Sequence, residues 1–179
     1  MVIFKIFTAI FVTLIFLILV VPIFTGKILS INRSILINKP LPEVFEYIRI
    51  LKNQDYFSVW ASKDPGMKKE YIGVDGTVGF VSAWDSQMKD VGKGEQEIIK
   101  IIDGERIDYE LRFLKPFKTT NQASFSFKSI NESSTIVTWG FTGKMKYPLN
   151  LLLLLRDIEG MMALDLQNGL DKLKVLLEV

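Results

Sequence analysis

The chain has no cysteine and no histidine in its 179 residues. Thiol nucleophiles, disulfides, Ser-His-Asp triads and metal sites built on imidazole or thiolate are excluded at once. Acid-base chemistry is left to carboxylates, lysine, tyrosine or water, and no cofactor or metal is expected. A phosphate-cradling glycine motif is also missing, because Gly76, Gly79, Gly92 and Gly94 are spaced for turns and strand ends. Excess charge is lacking too. Residues 1–30 carry Lys5 and Lys27 and no acid, so the remaining 20 basic and 20 acidic residues cancel over 31–179. A neutral domain has no electrostatic footprint for nucleic acid.

What is present begins with an apolar run. From Ile6 to Phe24 there are 19 residues without a charge, roughly 28 Å of helix at about 1.5 Å per residue, close to the thickness of a bilayer core. A cleaved signal peptide has an apolar region of about 7–15 residues ending in small residues. Here the run is longer, and Phe24 stands where a small residue would be needed. The expectation is an uncleaved, single-pass membrane anchor over residues 1–26 and one domain over 27–179. Lys5 on one flank and Lys27, Arg33 and Lys39 on the other differ too little for the positive-inside rule, so the side of the membrane is left open. The few residues after Phe24 span at most roughly 18 Å, which holds the domain against the membrane surface.

The domain reads as a strand, short helices, a long antiparallel run and a terminal helix. In "INRSILIN", Ile31, Ile35 and Ile37 fall on one face by period two. "KPLPEVFEYIRIL" follows with Pro42 in a first helical turn, Glu43 at the positive dipole end, and Val44, Phe45, Ile48 and Leu51 on one face. Asn53 to Ala61 reads as a short helix or turn. Beyond Gly66 the inward sets are Val78, Phe80, Ser82 and Trp84; Ile107, Tyr109, Leu111 and Phe113; Ala123, Phe125 and Phe127; and Thr135, Val137, Trp139, Phe141 and Gly143. One apolar and one wet face describe an antiparallel sheet covered on one side. "DGER" and "INESST" are hairpin turns, and "DSQMKD" is another, without the spacing of a calcium loop. From Leu151 to Glu178 an uninterrupted helix of about 42 Å is expected, its stripe running through Leu155, Ile158, Met162, Leu166, Leu170, Leu173 and Leu177.

These segments resemble the START-like (SRPBCC) superfamily of polyketide cyclase/dehydrase and lipid-transport proteins. "INRSILINKPLPEVFEYI" is similar to the family's opening strand and helix start, "VWASKDPG" to its tryptophan-containing segment, and "GTVGFVSAWD" and "VGKGEQEI" to its third and fourth strands. "TIVTWGFTG" matches the last strand and "LQNGLDKLKVLLE" the end of the final helix. The resemblance covers about 150 residues, from Ile31 onward. It implies an α+β helix-grip fold, a curved antiparallel sheet wrapped around a long C-terminal helix, with a deep cavity between them. It assigns no catalytic residue.

For the cavity lining the inward aromatics are the candidates: Phe80, Trp84, Tyr109, Phe113, Phe125, Phe127 and Trp139, with Trp60 beside them. Met161, Met162 and Asp165 are the candidates on the helix opposite. Packing of the same aromatics into an ordinary core is the competing reading. Glu95 and Glu97 share a strand face, either inward as a desolvated acid or, as such carboxylates more often are, outward and solvated. Three functions remain: a membrane-tethered module for a lipid or other hydrophobic small molecule, a cyclase or dehydratase using a cavity carboxylate, and a structural protein with a packed interior. The missing catalytic groups favour the first. Finally, the leucines of 151–155 go all the way round a helix: either neighbouring loops of the same domain cover them, or, with Lys144, Lys146 and Tyr147 before them, they form a membrane-surface segment.

Overall fold

The structure, a computed structural model, describes residues 1–155 and 157–179, the side chain of residue 155 aside. Alternation resolves into seven strands: β1 (Ile28–Ile37), β2 (Lys68–Ile72), β3 (Val81–Asp85), β4 (Lys93–Ile102), β5 (Arg106–Lys115), β6 (Thr119–Asn131) and β7 (Ser134–Lys144). They form one antiparallel sheet in the order β1-β7-β6-β5-β4-β3-β2. Register shifts within β4, at Lys93/Gly94 and Ile98/Lys100, add the local twist that curls such a sheet.

The helices are α1 (Val2–Phe24), α2 (Leu41–Arg49), α3 (Gln54–Phe57), α4 (Val59–Ser62), α5 (Leu152–Leu155) and α6 (Ile158–Leu177). α2 begins at Pro-flanked Leu41 and buries Val44, Phe45 and Ile48 as its periodicity dictates. The terminal helix is shorter than its leucine content predicts. A 3₁₀ turn at Leu149–Leu151 and then α5 precede α6, which at 20 residues is about 30 Å long. The signal for a fresh start is Asp157, whose carboxylate accepts a hydrogen bond from the Gly160 amide at 2.8 Å as an N-cap. Leu166, Leu170, Leu173 and Leu177 are buried along α6, whereas the Leu155 end of the expected stripe lies outside the described side chains. Val78 is a second departure. It sits in the turn before β3 and is 59% exposed, so the inward set on that strand starts at Phe80.

At Gly169 α6 lies directly on the Trp139 ring. A Cβ there would come within 2.7 Å of the Trp139 ring, so only glycine lets the helix settle onto that indole. Toward the end of α6 the interior is fully packed. Leu170, Leu173, Val44, Ile48, Ile37 and Val137 have no exposed surface, and Phe45 meets Phe127 edge to face at 5.1 Å.

α1 is long and apolar enough to cross a membrane, and Pro22 is its buried residue. A helix leaves its last four carbonyls without internal donors. Two of these are satisfied here: Thr25 Oγ1 donates to the Val21 carbonyl at 3.0 Å, and Asn150 Nδ2 to the Pro22 carbonyl at 2.7 Å. Tyr147 donates its hydroxyl to the Leu19 carbonyl at 2.8 Å. The segment between β7 and α6 thus clasps the end of α1.

Candidate functional site

The sheet floor explains where a hollow forms. Antiparallel register sets Trp84, Gly94 and Phe113 in one cross-strand row, and Ser82, Gln96 and Leu111 in the next. Gly94 makes room for the indole of Trp84 to lie across β4, since a Cβ there would meet the ring at 2.5 Å. Two large aromatics thus flank a glycine, and the row behind them carries the smaller Ser82 and Gln96 beside Leu111. The two rings meet edge to face over the glycine at 5.8 Å.

α3 and α4 wall one side and the first turns of α6 form the roof, leaving a cavity of about 230 Å³. Its closed end is built by buried Leu51, Gln54, Ala123, Trp139 and Leu166; its open end by half-buried Trp60, Met67, Val91 and Phe113 with exposed Asp90. An apolar cavity of about 150 Å³ takes up benzene, so this one has room for a larger group. Two contacts stitch the mouth. Ser86 Oγ donates to Asp64 Oδ2 across it, and Lys63 pairs with Asp165 at 3.4 Å, fastening the same loop to α6.

Five of the aromatic and methionine candidates border this space: Trp60, Trp84, Phe113, Trp139 and Met162. Tyr109, Phe125 and Phe127 are inward but packed in the core behind it. Phe125 stacks on Trp139 at 4.8 Å and takes the Tyr109 ring edge-on at 6.2 Å. Phe80 is buried against Tyr71 at 6.2 Å. Met161 lies on the outer side of α6, 53% exposed, because it is one residue, about 100° of helix, away from Met162. Asp165 is held at the rim by Lys63 and does not line the cavity.

Glu95 and Glu97 are on the outer face of the sheet. Both bind the Arg112 guanidinium, at 2.5 and 2.7 Å, and Glu110 joins at 2.6 Å. Bonds from the three carboxylates, Glu110 first, push the Arg112 pKa further up. Buried Gly94 and Ile98 on the same strand fix this facing. Two carboxylates border the cavity among the described residues, exposed Asp90 at the mouth and Asp55, which is engaged: Lys69 Nζ pairs with it at 2.7 Å and Tyr71 donates its hydroxyl at 2.8 Å. Burial, and then that bond to Asp55, raises the Tyr71 phenol pKa well above the ordinary range.

One polar feature escapes sequence patterning. Gln54 is 7% exposed and lines the closed end, where its side chain lies beside the fully buried hydroxyl of Tyr109; among the described residues neither its Nε2 nor that hydroxyl makes a hydrogen bond of good geometry. Burial raises the Tyr109 pKa, and the neighbouring Gln54 amide works against that rise. An unpaired buried donor costs about 1–3 kcal/mol, so a group that accepts from Gln54 would be favoured in the cavity.

The sheet gripping α6 around a cavity is the helix-grip architecture, and solved structures share it. The Aha1 dimer from Colwellia psychrerythraea matches with a TM-score of 0.57 at 14% identity, over 84% of this chain and 96% of that one. A conserved protein from Geobacillus kaustophilus gives 0.60 at 17% identity, over 83% and 95%. The di-domain ARO/CYC StfQ from the steffimycin biosynthetic pathway gives 0.61 at 11% identity, over 83% of this chain and 50% of StfQ. At these identities the likeness establishes the fold. No family model matches the sequence, and no curated protein matches it.

Proposed function

We propose that the chain is a membrane-tethered helix-grip module that binds a lipid or other hydrophobic small molecule in the cavity under α6, with α1 as its anchor and residues 27–179 as the binding unit. The observation that carries this reading is the cavity itself. It is walled mainly by Trp60, Trp84, Phe113, Trp139, Met162 and Leu166, with the Gln54 amide, beside the Tyr109 hydroxyl, at its closed end. Binding pockets have this composition, mostly apolar with a few placed polar groups. The volume favours a ring system or a short chain over a whole bilayer lipid, and the Gln54 donor favours a ligand whose deep end carries a carbonyl or hydroxyl oxygen.

Native mass spectrometry of the purified chain, looking for a co-purified small molecule, tests the reading directly. A matched pair of apolar fluorescent probes, with and without a carbonyl, sharpens it. Gln54→Leu should weaken the carbonyl probe about tenfold, in line with roughly 1.4 kcal/mol for one hydrogen bond, and leave the hydrocarbon probe unchanged. A chain that carries nothing and binds neither probe would return the cavity to ordinary imperfect packing.

A further inference from the structure

We propose that the end of the domain where the cavity opens is a docking face for an anionic lipid bilayer, so that the ligand passes between cavity and membrane without crossing bulk water. This rests on the reading of α1 as a membrane span.

The register places the relevant loops together. Ile28 pairs with Lys144, Phe113 with Thr119, Lys93 with Lys115, and Asp85 with both Lys93 and Lys68. The exit of α1, the β3–β4 loop, the β5–β6 loop and the start of the β7–α6 connection therefore share one end of the sheet. Met67, Asp90 and Val91 of the cavity mouth belong to that end.

Depth follows from the clasp on α1. The Tyr147 hydroxyl reaches the carbonyl of Leu19, which lies about 7.5 Å of helix axis before Phe24. With the apolar run of α1 in the bilayer, Tyr147 lies at interfacial depth, where tyrosine is enriched. Its neighbours follow it there: Leu149, Leu152 and Leu154 are 40%, 38% and 62% exposed. Segments of this kind bury their apolar face about 5–10 Å into the headgroup boundary.

The other loops at this end carry exposed apolar tips as well. Phe117, 65% exposed, stands between Lys115 and Lys118; Met88, 44% exposed, is followed by Lys89 and then Asp90, so that loop adds an apolar tip without net charge. Lys144 and Lys146 precede Tyr147. At the opposite end the turns carry Asp75, Asp103, Glu105 and Glu132 against Lys39. Val74 and Val78 are exposed there as well, beside Asp75 and without a lysine. Apolar tips occur at both ends, and the charge selects one of them for an anionic surface.

The absence of native cysteine allows single labels. Phe117→Cys, Met88→Cys and, as the distal reference, Val78→Cys are each introduced into the full-length chain and coupled to an environment-sensitive dye. The chain is then reconstituted into phosphatidylcholine vesicles with and without phosphatidylserine, carrying a quencher lipid in both leaflets. Dyes at positions 117 and 88 should be quenched, more strongly with phosphatidylserine, and the dye at 78 should not. Lys115→Gln with Lys118→Gln should lower the docked-to-undocked ratio on anionic vesicles about thirtyfold, the equivalent of roughly 1 kcal/mol per lysine. If the chain stays in the vesicles after an alkaline wash but the dyes at 117 and 88 remain as wet as that at 78, the docking face is wrong and the membrane span stands. If the wash releases the chain, the span is wrong and the docking proposal falls with it.

Discussion

The two halves of α6 rest on the same sheet and meet it differently. Over the second half, Leu170 and Leu173 belong to the same core as Val44, Ile48, Ile37 and Val137, all with no exposed surface. Over the first half, Met162 faces half-buried Trp84 and Phe113 across open volume. Between the halves stands a partition of rings, Phe57, Phe125 and Trp139, with the Phe57 ring edge-on to the other two at 6.2 and 5.7 Å. Both halves are apolar, so hydrophobicity alone does not distinguish a core from a binding site. The difference lies in the partner atoms. A core side chain is surrounded, whereas a cavity wall lacks dispersion contacts on one side.

Truncation should expose that difference. Phe125→Ala in the partition is expected to cost about 3–5 kcal/mol, read by urea unfolding followed through tryptophan fluorescence. Phe113→Ala should cost less than half as much and yet weaken an apolar probe at least tenfold, about 1.4 kcal/mol of binding. Equal losses of stability in the two variants, with no change in probe binding, would erase the distinction between the halves.

Alkaline pH probes the border between them. The folded phenol pKa values of Tyr109 and Tyr71 lie above the unfolded value of about 10. Folding therefore keeps these protons while the unfolded chain releases them. Their contribution to stability is complete below about pH 10 and is lost as pH rises through the folded values. Unfolding free energies should fall between about pH 10 and 11, and Tyr109→Phe should flatten that fall; a variant as alkali-sensitive as the parent would show that the buried phenol is not responsible. The smallest expected change is at the mouth. Ser86→Ala removes the loop-to-loop bond to Asp64, with less than about 1 kcal/mol of stability at stake. Stopped-flow probe uptake should nevertheless quicken, and unchanged rates would mean the stitch does not gate the cavity.

Much of this was legible in the residues. Period-two alternation marks the inward sets of β5, β6 and β7, and Pro42 with Glu43 marks the start of α2. Alternation names a face but not what stands opposite it, and for that reason Phe125 and Trp84 look equivalent in the sequence. The void depends on Gly94 beneath Trp84 and on which stretch of α6 lies above, both set by tertiary register. β2 lacks an apolar alternation because all five of its residues are exposed to some degree at the sheet edge. The leucine run conceals the break before α6, since five leucines favour helix while Asp157 begins another. The outward facing of Glu95 and Glu97 is written in Gly94 and Ile98 flanking them; their shared partner Arg112, on the next strand, is not. Gln54 carries no periodic signal at all.

Gly169 has a consequence beyond packing. Its missing side chain sets how closely α6 approaches the Trp139 ring, and Trp139 also bounds the cavity. Glycine within a helix sacrifices about 1 kcal/mol of helical propensity relative to alanine, and here it fixes a height. The chamber therefore has two independent adjustments. Exchange of a wall residue alters the fit at one point, whereas exchange at position 169 lifts the roof and rescales the space for every guest at once, from a position with no wall of its own.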